Sequence, residues 1–169
     1  MKRLFETTTG RGTFLVQVET KTCDCDGVKH MVSVFSPKTK EEIGCASIRV
    51  FEKINRAFLD FIESDVEGVG VGSALLKIVD YLVRCEGGVN FIAGKFAPAG
   101  DTERTISFYR KNGYRISGFP EKSEDFGNRN LYDSPSVEKY LARAPKDYEE
   151  GIKICEKPHT KLNDEGNGK

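Results

Sequence analysis

The chain contains a glycine-dense turn whose residue types suit the binding of an anion. Gly68, Gly70 and Gly72 lack a Cβ atom, so the backbone there can adopt positive φ values and direct consecutive N–H groups toward a ligand. Apolar residues then recur every three or four positions, which predicts a helix with Ser73 as its N-cap and a stop at Gly87. The free N–H groups and positive dipole end of such a helix suit a phosphate or pyrophosphate.

Two common phosphate-binding motifs do not match this turn. A Walker loop closes with Lys-Ser or Lys-Thr, whereas Gly72 is followed by Ser73 and Ala74. The dinucleotide pattern G-x-G-x-x-G would need glycine at position 73 or 75, where this chain has serine and leucine. A nucleotide-binding open sheet would also need parallel strands, and the short loops between the early strands argue against them.

The turn resembles the coenzyme A pyrophosphate loop of the GNAT superfamily of N-acetyltransferases. That loop has Arg or Gln, two residues, Gly, one residue, and then Gly or Ala. The pattern matches this chain at Gly70 and Gly72 and departs from it at Glu67, whose carboxylate would face the pyrophosphate. The resemblance implies that this turn binds the cofactor through Gly68, Val69, Gly70, Val71, Gly72 and Ser73.

A second segment strengthens the resemblance. Residues 106–114 resemble the GNAT helix that carries Phe-Tyr, ends at Asn-Gly and turns into a strand. Asp101 or Thr102 can cap the start of this helix, and Gly113 supplies a left-handed stop. The two segments occur in the family's order, with a predicted apolar strand at residues 89–96 between them. Together they indicate an acetyl-CoA-dependent, GNAT-type N-acetyltransferase.

Composition narrows the function classes further. The chain has 169 residues, with 26 Lys plus Arg and 26 Asp plus Glu, so no basic surplus points to nucleic acid. No apolar run is long enough to span a membrane, and no signal-peptide core follows the first three residues. We therefore expect a cytoplasmic protein without a membrane partner.

The cysteines predict reduced thiols. Their number is odd and no C-x-x-C pair occurs, which is not typical of a disulfide framework or a zinc site. Cys23 and Cys25 with His30 could form part of a metal site, but a polar turn between two strands explains them more simply. We expect no metal.

Alternating apolar and polar residues predict the elements that position these motifs. Strands are expected at Phe14–Thr20, His30–Phe35, Glu42–Phe51 and Ala57–Ser64, joined by short connections as an antiparallel meander. The predicted fold is α/β in the α+β sense: a GNAT-like, mixed, mostly antiparallel sheet flanked by helices. The polar residues 1–12 before it are expected to form a flexible leader.

The expected fold departs from the usual GNAT arrangement in one respect. GNAT domains normally place helices between their first two strands, whereas the turn at Asp24–Gly27 leaves no room for them, so these helices should be reduced or missing. Either the fold lacks this wall or another segment supplies it, and the candidate segment is a helix over Pro135–Ile154, capped by Ser134. Residues 13–157 would form the single domain and residues 158–169 a disordered tail.

The resemblance also implies which groups perform acetyl transfer. Backbone N–H groups of the fourth strand, at Phe61, Ile62 and Glu63, would hold the thioester oxygen. Tyr109 would lie near the coenzyme sulfur, where a phenol with an ordinary pKa of about 10 can protonate the departing thiolate. Tyr109 could instead pack in the core beside Phe108, but neighbouring helix positions point in different directions, and we favour the catalytic role.

The general base has no fixed position in the family. Asp60 is the first candidate, because it interrupts an apolar strand between phenylalanines, and Glu63 is the second. Both could equally be solvated charges at the strand edge.

Two functions remain open at this point. The first is an enzyme that moves acetyl groups from acetyl-CoA to a primary amine, on a small molecule or on protein or RNA if the site is open. The alternative is a catalytically silent GNAT-like module that binds acyl-CoA or a protein partner, which the carboxylate of Glu67 favours. A homodimer is compatible with either.

Overall fold

The computed structural model describes residues 1–23, 26–86, 88–96, 100–117, 136–141 and 152–155. Within these residues the chain forms nine strands, two α-helices, a short 3-10 helix at Glu52–Ile54 and a π-helical turn at Leu82–Glu86. The strands are β1 (Lys2–Thr9), β2 (Gly12–Thr22), β3 (Val28–Phe35), β4 (Glu42–Phe51), β5 (Arg56–Ser64), β6 (Phe91–Lys95), β7 (Arg115–Ser117), β8 (Ser136–Tyr140) and β9 (Ile152–Cys155). The α-helices are α1 (Val71–Tyr81) and α2 (Thr102–Lys111).

All nine strands belong to one sheet, in the order β7-β8-β6-β5-β4-β3-β2-β1-β9. Neighbouring strands are antiparallel except β5 and β6, which run parallel with α1 as their crossover. This is the mixed, mostly antiparallel sheet that the sequence predicts. The four strands of the predicted meander are confirmed as β2, β3, β4 and β5, because alternate apolar residues on them face a common core.

The first strand corrects one prediction. Residues 2–9 are not a flexible leader: β1 pairs with β2 along its whole length and with β9 on its other side. The reason is that Phe5 is completely buried, with its ring 5.8 Å from that of Tyr81 at the end of α1. The polar residues of this segment do not indicate a strand in the sequence, although the inner face of β1 lies beneath α1.

The described residues of the connection between β2 and β3 contain no helix. The connection spans residues 23–27, closed by a hydrogen bond from the Cys23 backbone N–H to the Gly27 carbonyl. Between β1 and β5 the described residues contain only the 3-10 turn at Glu52–Ile54. The absence of the early helices is therefore confirmed.

The helix predicted over 135–154 is wrong for the residues of this range that the structure describes, 136–141 and 152–154. Residues 136–140 form β8, which inserts between β7 and β6, and Ile152–Cys155 forms β9 at the opposite edge. Val137 is completely buried whereas Tyr140 is 79% exposed. Pairing with strands far away in the sequence overrides the helical spacing of these apolar residues. The predicted cap at Ser134 and the predicted tail at 158–169 lie outside the described residues.

Both helices pack on the face of the sheet that holds the core. Six residues of α1 are buried against it: Val71, Ala74, Leu75, Leu76, Ile78 and Val79. The helix α2 lies beside α1, with the ring of Phe108 where a Cβ atom on Gly72 would be. None of the helices in the described part of the chain is long and apolar enough to cross a membrane.

The ends of α2 follow the sequence prediction. The Asp101 carboxylate accepts a hydrogen bond from the Arg104 backbone N–H at 3.0 Å, which makes Asp101 the N-cap. Gly113 has a φ of 81°, and the N–H of Tyr114 reaches the carbonyl of Tyr109 at 3.0 Å. This is a Schellman stop, and it fixes the ring-bearing residues at the C-terminal end of α2.

Candidate active site

The two parallel strands separate at their C-terminal ends. The pairing of β5 with β6 covers only Ala57–Leu59 and Ile92–Gly94. The strand β5 then continues to Ser64, still paired with β4 on its other side. Beyond Leu59, no described strand pairs with the free edge of β5. A gap therefore opens between the two strands, lined on one side by backbone polar groups.

A β-bulge lies where this gap begins. On β4, Ser47 pairs with Phe61 and Ile48 pairs with Leu59, so Asp60 is an extra residue without a partner across the ladder. A bulge of this kind bends its strand and redirects the groups that follow it. The bulge therefore turns the end of β5 away from β6.

The ladder determines which backbone groups of β5 face the gap. The N–H of Asp65 donates to the carbonyl of Ile43 at 3.1 Å. Residues of an antiparallel strand alternate between facing the partner and facing away, so Glu63 and Phe61 bond β4 and Ile62 faces the gap. Of the three predicted oxygen-binding residues, Ile62 directs its N–H group into the gap.

The N-terminus of α1 lies directly after this strand. Gly70 is the N-cap with a φ of 97°, no side chain caps the helix, and the first turn carries no acidic residue. The first intrahelical bond runs from the Ala74 N–H to the Gly70 carbonyl, so the preceding N–H groups have no acceptor within the helix. Ser73 is therefore not the N-cap as predicted, because the left-handed Gly70 starts the helix earlier.

These donors match the chemistry of coenzyme A. The uncapped N–H groups of Val71, Gly72 and Ser73, with the helix dipole behind them, suit a pyrophosphate. Gly68 also has a positive φ, 75°, and a Cβ atom there would meet no atom within 4 Å, so the loop before the helix is open. The gap beside Ile62 then offers a backbone donor at the end of β5.

Tyr109 lies in the core cluster near the C-terminal end of β6. It is 7% exposed, and its ring centroid is 6.1 Å from that of Phe96, just after β6, and 5.7 Å from that of Tyr114. Burial raises the pKa of Tyr109 to about 12. Its hydroxyl makes no hydrogen bond to a described residue. The side chain is thus a protonated donor without a protein acceptor in the described part of the chain.

The burial of the Phe108 and Tyr109 side chains differs from the prediction. Phe108, assigned to the core, is only half-buried, and its ring packs on Gly72 in the first turn of α1. Tyr109 is the more deeply buried of the two. Phe108 therefore joins α2 to the start of α1, and Tyr109 lies between that start and the end of β6.

Asp60 is not surrounded by apolar side chains as expected. Its backbone is exposed at the bulge, and its carboxylate accepts hydrogen bonds from the Arg49 Nε at 2.8 Å and the Ser47 hydroxyl at 3.1 Å. The neighbouring Phe61 is 37% exposed. Asp60 therefore holds the bulge against β4 through an ion pair with Arg49.

Glu63, the second candidate base, is exposed and lies opposite Cys45 on β4. Burial raises the pKa of the Cys45 thiol, and the charges of Glu42, Glu63 and Asp65 raise it further. This end of the sheet is therefore electronegative. Within the described residues, no group of three or more His, Cys, Asp or Glu side chains could hold a metal ion.

Comparison of the sequence with protein-family models finds no match, and comparison with curated proteins finds none either. Solved structures do match. The aminoglycoside 6'-acetyltransferase type Ii has a TM-score of 0.52 and 18% identity, over 69% of this chain and 72% of that chain. Tetrahymena GCN5 has a TM-score of 0.50 and 15% identity, over 70% of this chain and 71% of that chain.

The ribosomal alpha-N-protein acetyltransferase RimL, solved in complex with coenzyme A, has a TM-score of 0.50 and 15% identity. The match covers 69% of this chain and 64% of that one. The structures that resemble this chain are GNAT N-acetyltransferases. This chain has a GNAT fold. At identities of 15–18% the similarity is one of architecture.

The departure of the GNAT loop at Glu67 has a local explanation. The Glu67 carboxylate forms an ion pair with the guanidinium of Arg104, in the first turn of α2. Both side chains are more than half exposed, so the pair contributes little to stability. It nevertheless places a cation beside the Glu67 carboxylate. Arg104 lies 37 residues from Glu67 in the sequence, and no local pattern predicts the pair.

Removing the Glu67 charge should strengthen any binding of coenzyme A at the loop of residues 65–70. In Glu67→Gln, the Arg104 guanidinium loses its counter-charge and the loop loses one negative charge. We expect coenzyme A to bind several-fold more tightly at low salt, with the gain shrinking at high salt as screening increases. Titration calorimetry at two salt concentrations measures this. Unchanged affinity at low salt would mean that the Glu67–Arg104 pair does not sense the ligand.

A buried polar network holds the GNAT-fold helices together near Tyr109. The Lys139 ammonium on β8 donates to Asp80 on α1 and, at 2.6 Å, to the Asn112 carbonyl at the end of α2. The Tyr114 hydroxyl donates to Asp80 at 3.2 Å. Burial raises the pKa of Asp80, and Lys139 partly offsets this effect. No role for Tyr114 follows from the sequence, yet its ring packs on Tyr109 and its hydroxyl binds Asp80 on α1.

Proposed function

We propose that this protein transfers an acetyl group from acetyl-CoA to a primary amine by direct attack of the amine on the thioester. The observation that carries the proposal is the juxtaposition of three features. The uncapped N-terminus of α1 follows β5, the free edge of β5 at Ile62 lies beyond the last pair of β5 with β6, and Tyr109 packs on Phe96, the residue after β6. Acetyl-CoA supplies the activated acyl group.

Binding of the coenzyme rests on the loop and on the strand. We assign the pyrophosphate to the loop and first turn formed by Gly68, Val69, Gly70, Val71, Gly72 and Ser73. We assign the thioester oxygen to the segment Phe61–Glu63, with the Ile62 N–H as the donor. A fixed backbone donor of this kind contributes about 3 kcal/mol to a transition state that develops negative charge on oxygen.

Tyr109 is the proposed proton donor to the leaving thiolate. With a pKa of about 12, its phenol remains protonated throughout the neutral and mildly alkaline range. Its hydroxyl has no competing acceptor among the described residues. It can therefore donate to a sulfur in the gap without first breaking a hydrogen bond.

The attacking amine must lose a proton, and two carboxylates on β5 are the candidates for the general base that accepts it. Asp60 is engaged by Arg49 and Ser47, which leaves less of its carboxylate available to an incoming amine. Glu63 is exposed and follows Ile62 directly. We propose Glu63 as the principal base, with Asp60 holding the bulge and remaining the second candidate. The negative charges near Cys45 would also attract a protonated amine.

The first test is whether coenzyme A stabilises the fold. Ligand at about a hundred times its Kd should add about 2.7 kcal/mol, which raises Tm by about 5 to 10 °C for a chain of this size. A thermal melt with millimolar coenzyme A measures this. A melt that does not move would contradict the proposal.

A second experiment separates the enzyme from the silent module. Acetyl-CoA incubated with pools of amines, peptides and RNA should yield acetylated products that mass spectrometry detects. Stabilisation by coenzyme A without any product would favour the alternative, a GNAT-like acyl-CoA-binding or protein-interaction module, which the carboxylate of Glu67 also favours.

A further inference from the structure

The tip of the β1–β2 hairpin packs directly on the start of α1. A Cβ atom built on Gly70 would lie 2.8 Å from the Cβ of Arg11 and 3.0 Å from the Thr9 hydroxyl oxygen. Gly70 is the N-cap of α1, so the first side-chain atoms of Arg11 lie beside the residue at which this helix begins. This contact brings a basic residue from the beginning of the chain to the loop at residues 65–70.

Several hydrogen bonds fix the position of this tip. The Thr9 hydroxyl accepts from the Arg11 backbone N–H at 3.2 Å and donates to the Gly12 carbonyl at 3.3 Å. From α1, the Lys77 ammonium donates to the Thr8 carbonyl at 2.9 Å. The hairpin is thus tied both to its own turn and to the helix, which holds Arg11 in place.

The Arg11 side chain is exposed and forms no ion pair with a described residue. The loop carries two acidic residues, Asp65 and Glu67, and Glu67 is paired with Arg104. Among the described residues, the Arg11 guanidinium is not committed to a carboxylate. The helix N–H groups beside it are neutral donors, and they leave most of the charge of a pyrophosphate uncompensated.

We propose that Arg11 binds the pyrophosphate of acetyl-CoA. It supplies from the hairpin a donor side chain in place of the Arg or Gln that the resembled loop carries at the position of Glu67. A guanidinium can donate two parallel hydrogen bonds to phosphate oxygens, which a backbone amide cannot do. The assignment to the pyrophosphate, not the 3'-phosphate, follows from the contact with Gly70, whose helix directs its N–H groups at the pyrophosphate in the proposed function. The inference rests on that function.

Titration calorimetry with coenzyme A tests the assignment. Arg11→Ala keeps the Cβ that packs on Gly70 and removes the guanidinium, and should weaken binding about tenfold to a hundredfold. Arg11→Lys should recover part of the affinity, because it restores the charge without the bidentate geometry. The affinity of the wild type should also fall more steeply with salt than that of Arg11→Ala.

Lys2→Ala is the matched control. Lys2 is exposed on the same hairpin and carries the same charge, but it lies seven strand positions from Thr9, about 23 Å away. That distance exceeds the Debye length of about 10 Å at moderate salt, so coenzyme A affinity should be unchanged. An equal loss in both variants would show a general charge effect and overturn the assignment.

Dephospho-CoA, which lacks the 3'-phosphate, separates the two phosphate positions. Arg11→Ala should lose the same factor of affinity for dephospho-CoA as for coenzyme A. A loss confined to coenzyme A would overturn the pyrophosphate assignment. If the wild type binds neither ligand, the proposed function fails as well. If the wild type and Arg11→Ala bind equally well, only the role of Arg11 fails. A melt without ligand checks the fold, and Arg11→Gln replaces Arg11→Ala if that variant is unstable.

Discussion

Replacing Tyr109 with phenylalanine is expected to lower kcat by about 10² to 10⁴-fold, the range typical of a lost general acid. Coenzyme A affinity should change far less, because the hydroxyl acts mainly on the thiolate that forms in the transition state. Stability should stay close to that of the wild type. The phenyl ring keeps its contacts with Phe96 and Tyr114, and the hydroxyl has no hydrogen bond to lose among the described residues.

The raised pKa defines what this hydroxyl does. The buried phenol, with a pKa of about 12, is a weak acid beside a hydrated thiol with a pKa of about 8.5, so complete proton transfer from it to a fully hydrated thiolate would be uphill by about 5 kcal/mol. The same apolar surroundings destabilise a bare thiolate and reduce this difference. The hydroxyl therefore acts first as a hydrogen-bond donor to the developing charge. Loss of its proton should not reduce the wild-type rate below about pH 11.

Two control variants accompany the measurement of kcat in Tyr109→Phe. Tyr140→Phe removes the hydroxyl of a tyrosine that is 79% exposed on β8, and kcat should be unchanged. Phe108→Leu should instead reduce stability by about 1 kcal/mol, because it loosens the contact of α2 with Gly72. The kinetics use whichever amine the product screen identifies. Near wild-type turnover in Tyr109→Phe would remove Tyr109 from the mechanism.

The strands of the meander could be predicted because each has one buried face. In β3, Val32 and Val34 are completely buried while their neighbours are not, and this alternation is present in the sequence. The strand β1 escaped detection because its inner positions after Phe5 are threonines. Thr7 is completely buried, yet its residue type gives no apolar signal. Polar residues that a helix covers cannot be recognised by hydrophobicity alone.

The strand β8 could not be predicted from the sequence for a different reason. Val137, Tyr140 and Leu141 are spaced as on one face of a helix, which led to a wrong prediction. Only the pairing of β8 with β6 and β7 explains why the segment is extended. These partners begin at Phe91 and Arg115, far away in the chain. Local spacing cannot encode such a pairing.

The sequence predicts some features of the candidate site and not others, for the same reason. Its backbone features were predictable, because glycine records a need for positive φ, and Gly68, Gly70 and Gly113 all adopt it. The ion pairs of the site could not be predicted. The pairs Arg49–Asp60 and Lys139–Asp80 join residues 11 and 59 positions apart, and either partner alone resembles an ordinary surface charge. Strand register and helix packing bring these charged residues together, and local sequence patterns do not specify either of them.

The Lys139–Asp80 pair should be the most costly of these to break. Both side chains are about 15% exposed, and removing one partner of a buried pair typically destabilises a protein by about 3 to 5 kcal/mol. Lys139→Met also loses the hydrogen bond to the Asn112 carbonyl and the contact of the ammonium with the Tyr114 ring. For a domain with a total stability of about 5 to 15 kcal/mol, this is a large fraction. Urea unfolding at neutral pH measures it.

The pH dependence of this loss identifies its cause. The folded-state pKa of Asp80 is raised above the ordinary 3.8, mainly by burial, and Lys139 opposes the rise. A raised carboxyl pKa means that the stability contribution of the group is complete below the unfolded pKa and is lost as pH rises through the folded pKa. Without Lys139 the pKa of Asp80 should rise further. The stability gap between wild type and Lys139→Met should therefore be widest near pH 7 and shrink as pH falls toward 4.

Two further variants test this explanation. Lys111→Met removes the same charge from an exposed position on α2 and should change stability by less than about 0.5 kcal/mol. In the double variant Asp80→Asn with Lys139→Met, no buried carboxylate remains without its cation, so part of the stability should return and its pH dependence should flatten. If the loss in Lys139→Met were the same at pH 4 and pH 7, the cost would come from lost packing and not from the stranded Asp80 charge. The network would then hold Tyr114, and through it Tyr109, by shape and not by charge.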